Sequence, residues 1–158
     1  METVRPALRA IGRHSLAAEQ LILGTAIQES DLVHRRQLGG GPGRGLLQME
    51  PATHDDIWAN FLNYRVELAD RVSALRSVPS ADGIEELECN DRYAVAMARV
   101  HYLRVPAALP KVGDLGAMAA YWKRYYNTMM GRGREEQFVN KWRRIVPAAG
   151  LPDSAVER

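Results

Sequence analysis

The sequence predicts a mainly α fold, on three observations. Apolar residues recur every three or four positions in successive segments, no segment alternates apolar and polar residues, and capping residues, prolines and glycines separate the periodic runs. The chain has 158 residues, a length at which one domain removes roughly 68–70% of its unfolded surface from water. A single domain over residues 1–158 is therefore expected, with six or seven helices and one small extended element. Hydrophobic residues make up 46% and charged residues 25%, which excludes disorder and fibrous repeats as explanations.

Ser15 is placed to cap a helix from Leu16 to about Glu29, with Leu16, Leu23 and Ile27 on one stripe and Ala18, Ile22 and Ala26 beside it. So wide an apolar face predicts a central position. A glycine cluster, Gly39 to Gly45, follows, and Leu46-Leu47-Gln48-Met49 reads as a short extended element. Pro51 fits the first turn of the next helix, which carries Trp58, Phe61 and Leu62. Helices are expected from about Tyr64 to Arg76 and from about Glu85 to Leu103, punctuated by Pro79, Gly83, Pro106 and Pro110. Asp114 caps a helix to about Asn127, with Leu115, Met118, Ala119, Trp122, Tyr125 and Tyr126 at helical spacing. Gly131 and Gly133 close that region, Phe138, Trp142 and Ile145 mark a last helix before Pro147, and residues 148–158 read as a loose tail.

Composition narrows the function classes. Cys89 is the one cysteine, so an intramolecular disulfide and every multi-cysteine metal site are excluded. His14, His34, His54 and His101 are too irregularly spaced for a paired ligand set, and no metal or cofactor is expected. No apolar run approaches the ~18 residues of a bilayer span, so no transmembrane segment is expected. Arg5, Arg9 and Arg13 stand among scattered apolar residues with no signal-peptide core after them. Synthesis in the cytoplasm without a signal peptide is the expectation.

Twenty-one basic against 19 acidic residues leave a formal charge of +2. The basic residues are 18 arginines and three lysines, in short mixed groups rather than blocks. Arg92, Arg99 and Arg104 fall at spacings of seven and five and form no single stripe, so nucleic acid is not an expected partner. The glycine cluster lacks the Gly-x-x-x-x-Gly-Lys-Ser/Thr pattern of a phosphate loop.

The chemically informative stretch runs from Ala26 to Thr53. Glu29 stands where an apolar helix ends, and desolvation together with the negative end of the helix dipole should raise its pKa. A carboxyl kept protonated near neutral pH is what a general acid requires. Ser30 places a hydroxyl beside it, the glycine loop admits close backbone approach, and Gln48 offers an amide to a polar ligand. A solvated helix-end carboxylate beside a plain surface turn is the competing reading of the same residues.

The ordered set Glu29-Ser30, Gly45-Leu46-Leu47-Gln48, Met49-x-Pro51-x-Thr53 and Tyr126-Asn127 resembles the lytic transglycosylase family of the lysozyme-like superfamily, over about residues 15 to 128. Ala98 to Leu103 and Tyr121 to Thr128 also resemble transglycosylase-like proteins of bacteriophages. This sequence departs from the pattern in four places. Leu47 replaces the usual methionine, the Glu29–Gln48 spacing is one position longer than the commonest, Thr128-Met129 follows Tyr126-Asn127 in place of Ala-Gly, and Gly39-Gly40-Gly41-Pro42-Gly43 replaces the usual serine-alanine approach to the glycine.

The resemblance implies a lysozyme-like fold. It also implies cleavage of the β-1,4 bond between N-acetylmuramic acid and N-acetylglucosamine in peptidoglycan. Glu29 would be the catalytic general acid and base, closing a 1,6-anhydro ring on the product. Ser30, Leu47, Gln48, Tyr126 and Asn127 would contact substrate or orient Glu29, with Tyr121 as the alternative distal tyrosine. Arg35, Arg36 and Arg44 would flank the cleft and either meet anionic peptide stems or face solvent. The partner implied is the peptidoglycan glycan strand, reached after delivery by a virion, a lysis system or a secretion machine.

Two alternatives stay open. A hydrolytic lysozyme, of endolysin or goose type, needs a water held by a second carboxylate, ~5–5.5 Å from the first if retaining and ~6.5–9.5 Å if inverting. Asp31, Glu50, Asp55 and Asp56 are near enough in sequence. A catalytically silent lysozyme-like module of a virion or secretion apparatus would keep the fold alone.

Overall fold

In the computed structural model the described residues are 2–127 and 131–148. Most of them are helical, and eight α-helices are present among them. The loose tail expected from residue 148 onward lies, from 149, outside the described residues, as do Thr128 and Met129.

The buried centre is α2 (Leu16–Ser30), held at its start by Ser15, whose hydroxyl accepts the Ala18 N–H at 3.1 Å. Ten consecutive residues, Ala18 to Ile27, are buried, and α2 packs against α1 (Val4–Ala10), α6 (Asp91–Leu103), α7 (Leu115–Trp122) and α8 (Glu135–Ala148). A helix surrounded on all sides must satisfy its polar members internally. Glu19 takes Arg5 from α1 and His14 from the connecting loop. Gln20 Oε1 accepts the Gly113 N–H, and Thr25 Oγ1 meets both Leu21 O and the Tyr102 hydroxyl.

The helix count exceeds the six or seven expected, for two physical reasons. First, α1 (Val4–Ala10) forms over a stretch read only as scattered apolar residues, because Val4, Ala7 and Leu8 fall at spacings of three and one and are buried. Second, the helix expected from Glu85 to Leu103 is two, α5 (Gly83–Cys89) and α6. Asn90 breaks it in an extended conformation, φ −120° and ψ 95°, its side chain accepting the Tyr93 N–H as an N-cap. Asn90 Nδ2 also donates to Leu75 O and Glu86 Oε2. The expected helix from Tyr64 is shorter: a 3-10 turn Leu62–Tyr64 leads into α4 (Val66–Ser73). The helix capped by Asp114 ends as α at Trp122 and widens into a π-helical turn Lys123–Asn127.

No extended element forms at Leu46–Met49. Gly45 at φ +69° and Gln48 at φ +49° bend the chain into a tight turn, leaving isolated bridges between Arg36 and Arg44 and between Arg44 and Met49. A Cβ on Gly45 would collide with the Leu87 carbonyl, so the turn sits directly on α5. Pro51 then opens α3 (Pro51–Asn60) as expected.

The long loop between α2 and α3 is tied down by charge. Arg35 makes a two-pronged contact with Asp91 at 2.6 and 3.0 Å, and Arg36 Nε reaches Glu88 at 2.7 Å. Arg44 binds loop carbonyls at Gly41, Pro42 and Gly43. These arginines therefore spend their charge and donors on the protein itself.

Candidate active site

Glu29 is the penultimate residue of α2. The helix stops just after it because Asp31 and Leu32 turn left-handed, φ 52° and 60°. That reversal leaves the last carbonyls of α2 without helical partners, and Lys141 of α8 supplies one, donating to Gln28 O at 2.9 Å while pairing with Asp31 at 3.2 Å. The end of the helix is thus pinned to α8, and the side chains of Gln28 and Glu29 turn into a cleft of about 640 Å³.

Burial raises the Glu29 pKa above 4.5, against a hydrogen bond from Trp122 and the charge of Lys141, which both favour the carboxylate. The Trp122 Nε1–H donates to Glu29 Oε1 at 2.8 Å. Trp122 is itself fully buried and lies against Phe138, ring centroids 5.7 Å apart. Two glycines make room for this stack. A Cβ on Gly133 would stand 2.5 Å from Trp122 Cη2, and one on Gly24 would collide with the Phe138 ring.

Across the cleft the lining is polar and mostly uncharged, with Gln37, Gln48, Thr53, Tyr126 and Asn127 among it. Gln48 commits its amide nitrogen to the loop, donating to Gly45 O at 2.7 Å and His34 O at 3.1 Å. What it offers the cleft is an acceptor, Oε1. The Tyr126 hydroxyl donates to Leu47 O at 2.8 Å, so the distal tyrosine buttresses the Gly45–Gln48 turn. Burial, with Glu29 and Tyr102 nearby, pushes its pKa well above 10. Asn127 lines the cleft with its Oδ1 taken by Lys123 Nζ at 2.9 Å, and the same ammonium reaches Gly131 O.

Three expected contacts do not form. Ser30 is 1% exposed, its hydroxyl donating to Ala26 O and accepting the Leu32 N–H, so it serves the helix end and does not reach Glu29. The Leu47 side chain is buried in the core and only its carbonyl takes part, through Tyr126. Tyr121 donates to Ala107 O and stacks on Tyr102 and Tyr125, away from the cleft lining. Of the two candidate tyrosines, Tyr126 is the one at the site.

The reading by residue pattern missed Trp122, Lys141 and His101. Trp122 and Tyr126 are four apart and share a helix face, which is the signal that was present. His101 lines the cleft, donates through Nε2 to Tyr125 O at 3.0 Å, has its pKa lowered by burial, and keeps a buried Nδ1 with no hydrogen-bond partner among the described residues. Of the other carboxylates weighed, Asp31 pairs with Lys141 and Arg144, Asp55 with His54 and Asp56 with Arg104. Glu50 alone of the four lines the cleft.

No family model, no curated protein and no solved structure matches this chain. The chemistry of the cleft therefore rests on its own geometry: a half-buried carboxyl with its pKa raised, beside amide and hydroxyl side chains.

Proposed function

We propose that the chain is a peptidoglycan lytic transglycosylase with a lysozyme-like fold, Glu29 acting as the single general acid and base. The observation that carries this reading is the half-buried Glu29 carboxyl, its pKa raised by desolvation, at the wall of a polar cleft. Glu29 gives its proton to the glycosidic oxygen between N-acetylmuramic acid and N-acetylglucosamine. The bond opens towards an oxocarbenium-like state. The carboxylate so formed then takes the proton of the sugar's own 6-hydroxyl, which attacks the anomeric carbon and closes the 1,6-anhydro ring. One carboxyl suffices for both steps, and the proton balance closes on Glu29. Gln37, Gln48 and Asn127 supply hydrogen-bonding partners for acetamido and hydroxyl groups along the strand. Arrival at the wall through a virion, a lysis system or a secretion machine belongs to the same proposal.

The presence of Glu50 in the same cleft favours one second reading, a hydrolase in which Glu50 holds the attacking water. Mass spectrometry of products from purified peptidoglycan separates the two. Anhydro-muropeptides made by the wild type, lost by about 10²- to 10⁴-fold in Glu29→Gln and retained in Glu50→Gln, are the expected outcome. Reducing-end products heavier by one water, lost in Glu50→Gln, would establish hydrolysis. Full activity in folded Glu29→Gln would remove both readings.

A further inference from the structure

The two oxygens of the Glu29 carboxyl have different surroundings. Oε1 accepts the Trp122 indole N–H, and an indole nitrogen donates only. A carbonyl oxygen accepts that N–H better than a protonated hydroxyl oxygen does, so the hydrogen bond favours the neutral acid with its proton on Oε2. Oε2 makes no hydrogen bond among the described residues, and Glu29 lines the cleft. The donor itself has nowhere to go. Trp122 is enclosed by Gly133 on one side and Phe138 on the other, and Phe138 rests on Gly24 in the helix that carries Glu29.

We infer that Trp122 is a positioning residue that reserves Glu29 Oε1 as an acceptor and thereby places the transferable proton on Oε2, facing the ligand in the cleft. Its catalytic consequence rests on the glycan-cleaving reading, whereas the proton placement does not. In the proton transfer the Oε2–H bond breaks and the proton bonds to the glycosidic oxygen, which keeps the electron pair of the opening C–O bond. The negative charge left on the carboxylate is shared with Oε1, where the indole hydrogen bond becomes charge-assisted and stronger. Trp122 therefore stabilises the transferring state more than the bound ground state, and its loss falls on kcat rather than KM.

Other titratable groups surround Glu29: Lys141 from α8, Tyr102 and His101 from α6, Tyr126 from the π-helical turn, and Glu50 and Arg132 in the cleft wall. The readout must therefore belong to the Trp122–Glu29 pair alone, and the indole N–H resonance does.

The test is a pH series of ¹H–¹⁵N spectra of the full chain with Trp58, Trp122 and Trp142 assigned. The Trp122 Nε1–H signal is expected to move downfield as Glu29 ionises, with a midpoint above 4.5, and to stay fixed in Glu29→Gln. In Trp122→Phe, the Glu29 carboxyl ¹³C midpoint should rise further, and kcat on peptidoglycan should fall about ten- to hundredfold with KM little changed. An indole signal that ignores pH in the wild type, or moves equally in Glu29→Gln, overturns the inference whatever the activity. A folded Trp122→Phe that loses kcat without moving the Glu29 midpoint overturns it too, leaving packing as the cause. If Trp122→Phe does not fold, the wild-type and Glu29→Gln titrations decide alone. An indole that tracks Glu29 in a protein that cleaves no glycan leaves the proton placement standing and removes the enzymatic reading.

Discussion

Glu29 sits where burial and charge oppose each other, and burial wins: its pKa is raised despite the Trp122 donor and the Lys141 ammonium. That has a consequence for stability with a definite sign. Because the folded carboxyl binds its proton more tightly than the unfolded one, the folded state holds more protons between the two pKa values. Stability is then lost as pH rises through that window. The cost is absent below about the unfolded value of 4.5 and complete above the raised folded value. Glu29→Gln keeps the shape and removes the ionisation. Its stability relative to wild type, measured by urea denaturation at a series of pH values, is expected to climb from pH 4 upward and then level off. A flat difference across that range would mean that Glu29 is solvated when ionised. Glu19 behaves oppositely: burial disfavours its charge, but Arg5 and His14 outweigh that and lower its pKa. Its contribution to stability is lost as pH falls through that lowered value.

Between elements, the decisive contact is the meeting of α2 with α7 and α8 through the Trp122–Phe138 stack. Gly24 lies in the interior of α2, where alanine would ordinarily be better by about 1 kcal/mol. Here the added methyl would enter the ring of Phe138, which is 1% exposed and has no room to swing away. Gly24→Ala is expected to destabilise by about 1–3 kcal/mol, seen as a lower thermal midpoint, and to weaken the Trp122 hold on Glu29. Helix α2 was legible because Ser15 announces its cap and its apolar residues cover every face. Asp114 and Pro51 announced their helices in the same way. The break at Asn90 was hidden because the buried Leu87 and Ala94 stand seven positions apart, two helical turns, and so stay in register across it. The Gly45–Gln48 turn was read as extended because apolar content says nothing of a left-handed Gln48. At the site, Glu29 and Gln48 were legible as polar residues in an apolar or glycine-rich context. Trp122 was not, since an aromatic on an apolar stripe reads as core until α7 docks on α2 and gives its N–H a direction.

The whole molecule spends much of its basic charge on itself. Arg5, Arg35, Arg36, Arg104 and Arg144 each pair with a carboxylate, in an overall balance of +2. The cleft is lined chiefly by amides and hydroxyls, with Glu29, whose pKa is raised, Glu50, Arg132 and His101 as its titratable groups beside the tyrosines. Recognition there would proceed by neutral hydrogen bonds to the sugars, which salt does not screen, rather than by attraction to the anionic peptide stems. The expected outcome is a weak ionic-strength dependence. Plotted logarithmically against salt from 10 to 300 mM, KM for peptidoglycan should change with a slope below about one, the equivalent of a single ion pair. Retention on DNA should be absent at 150 mM salt for the same reason. A slope of several would mean that arginines outside the cleft carry the affinity. The paired set just named would then have to exchange its intramolecular carboxylates for those of the ligand. Charge reversal at Asp91 and Glu88, which free Arg35 and Arg36, would in that case tighten binding. With recognition inside the cleft, those substitutions loosen the loop that carries Gln48 and weaken binding instead, so the direction of that one change tells the two arrangements apart.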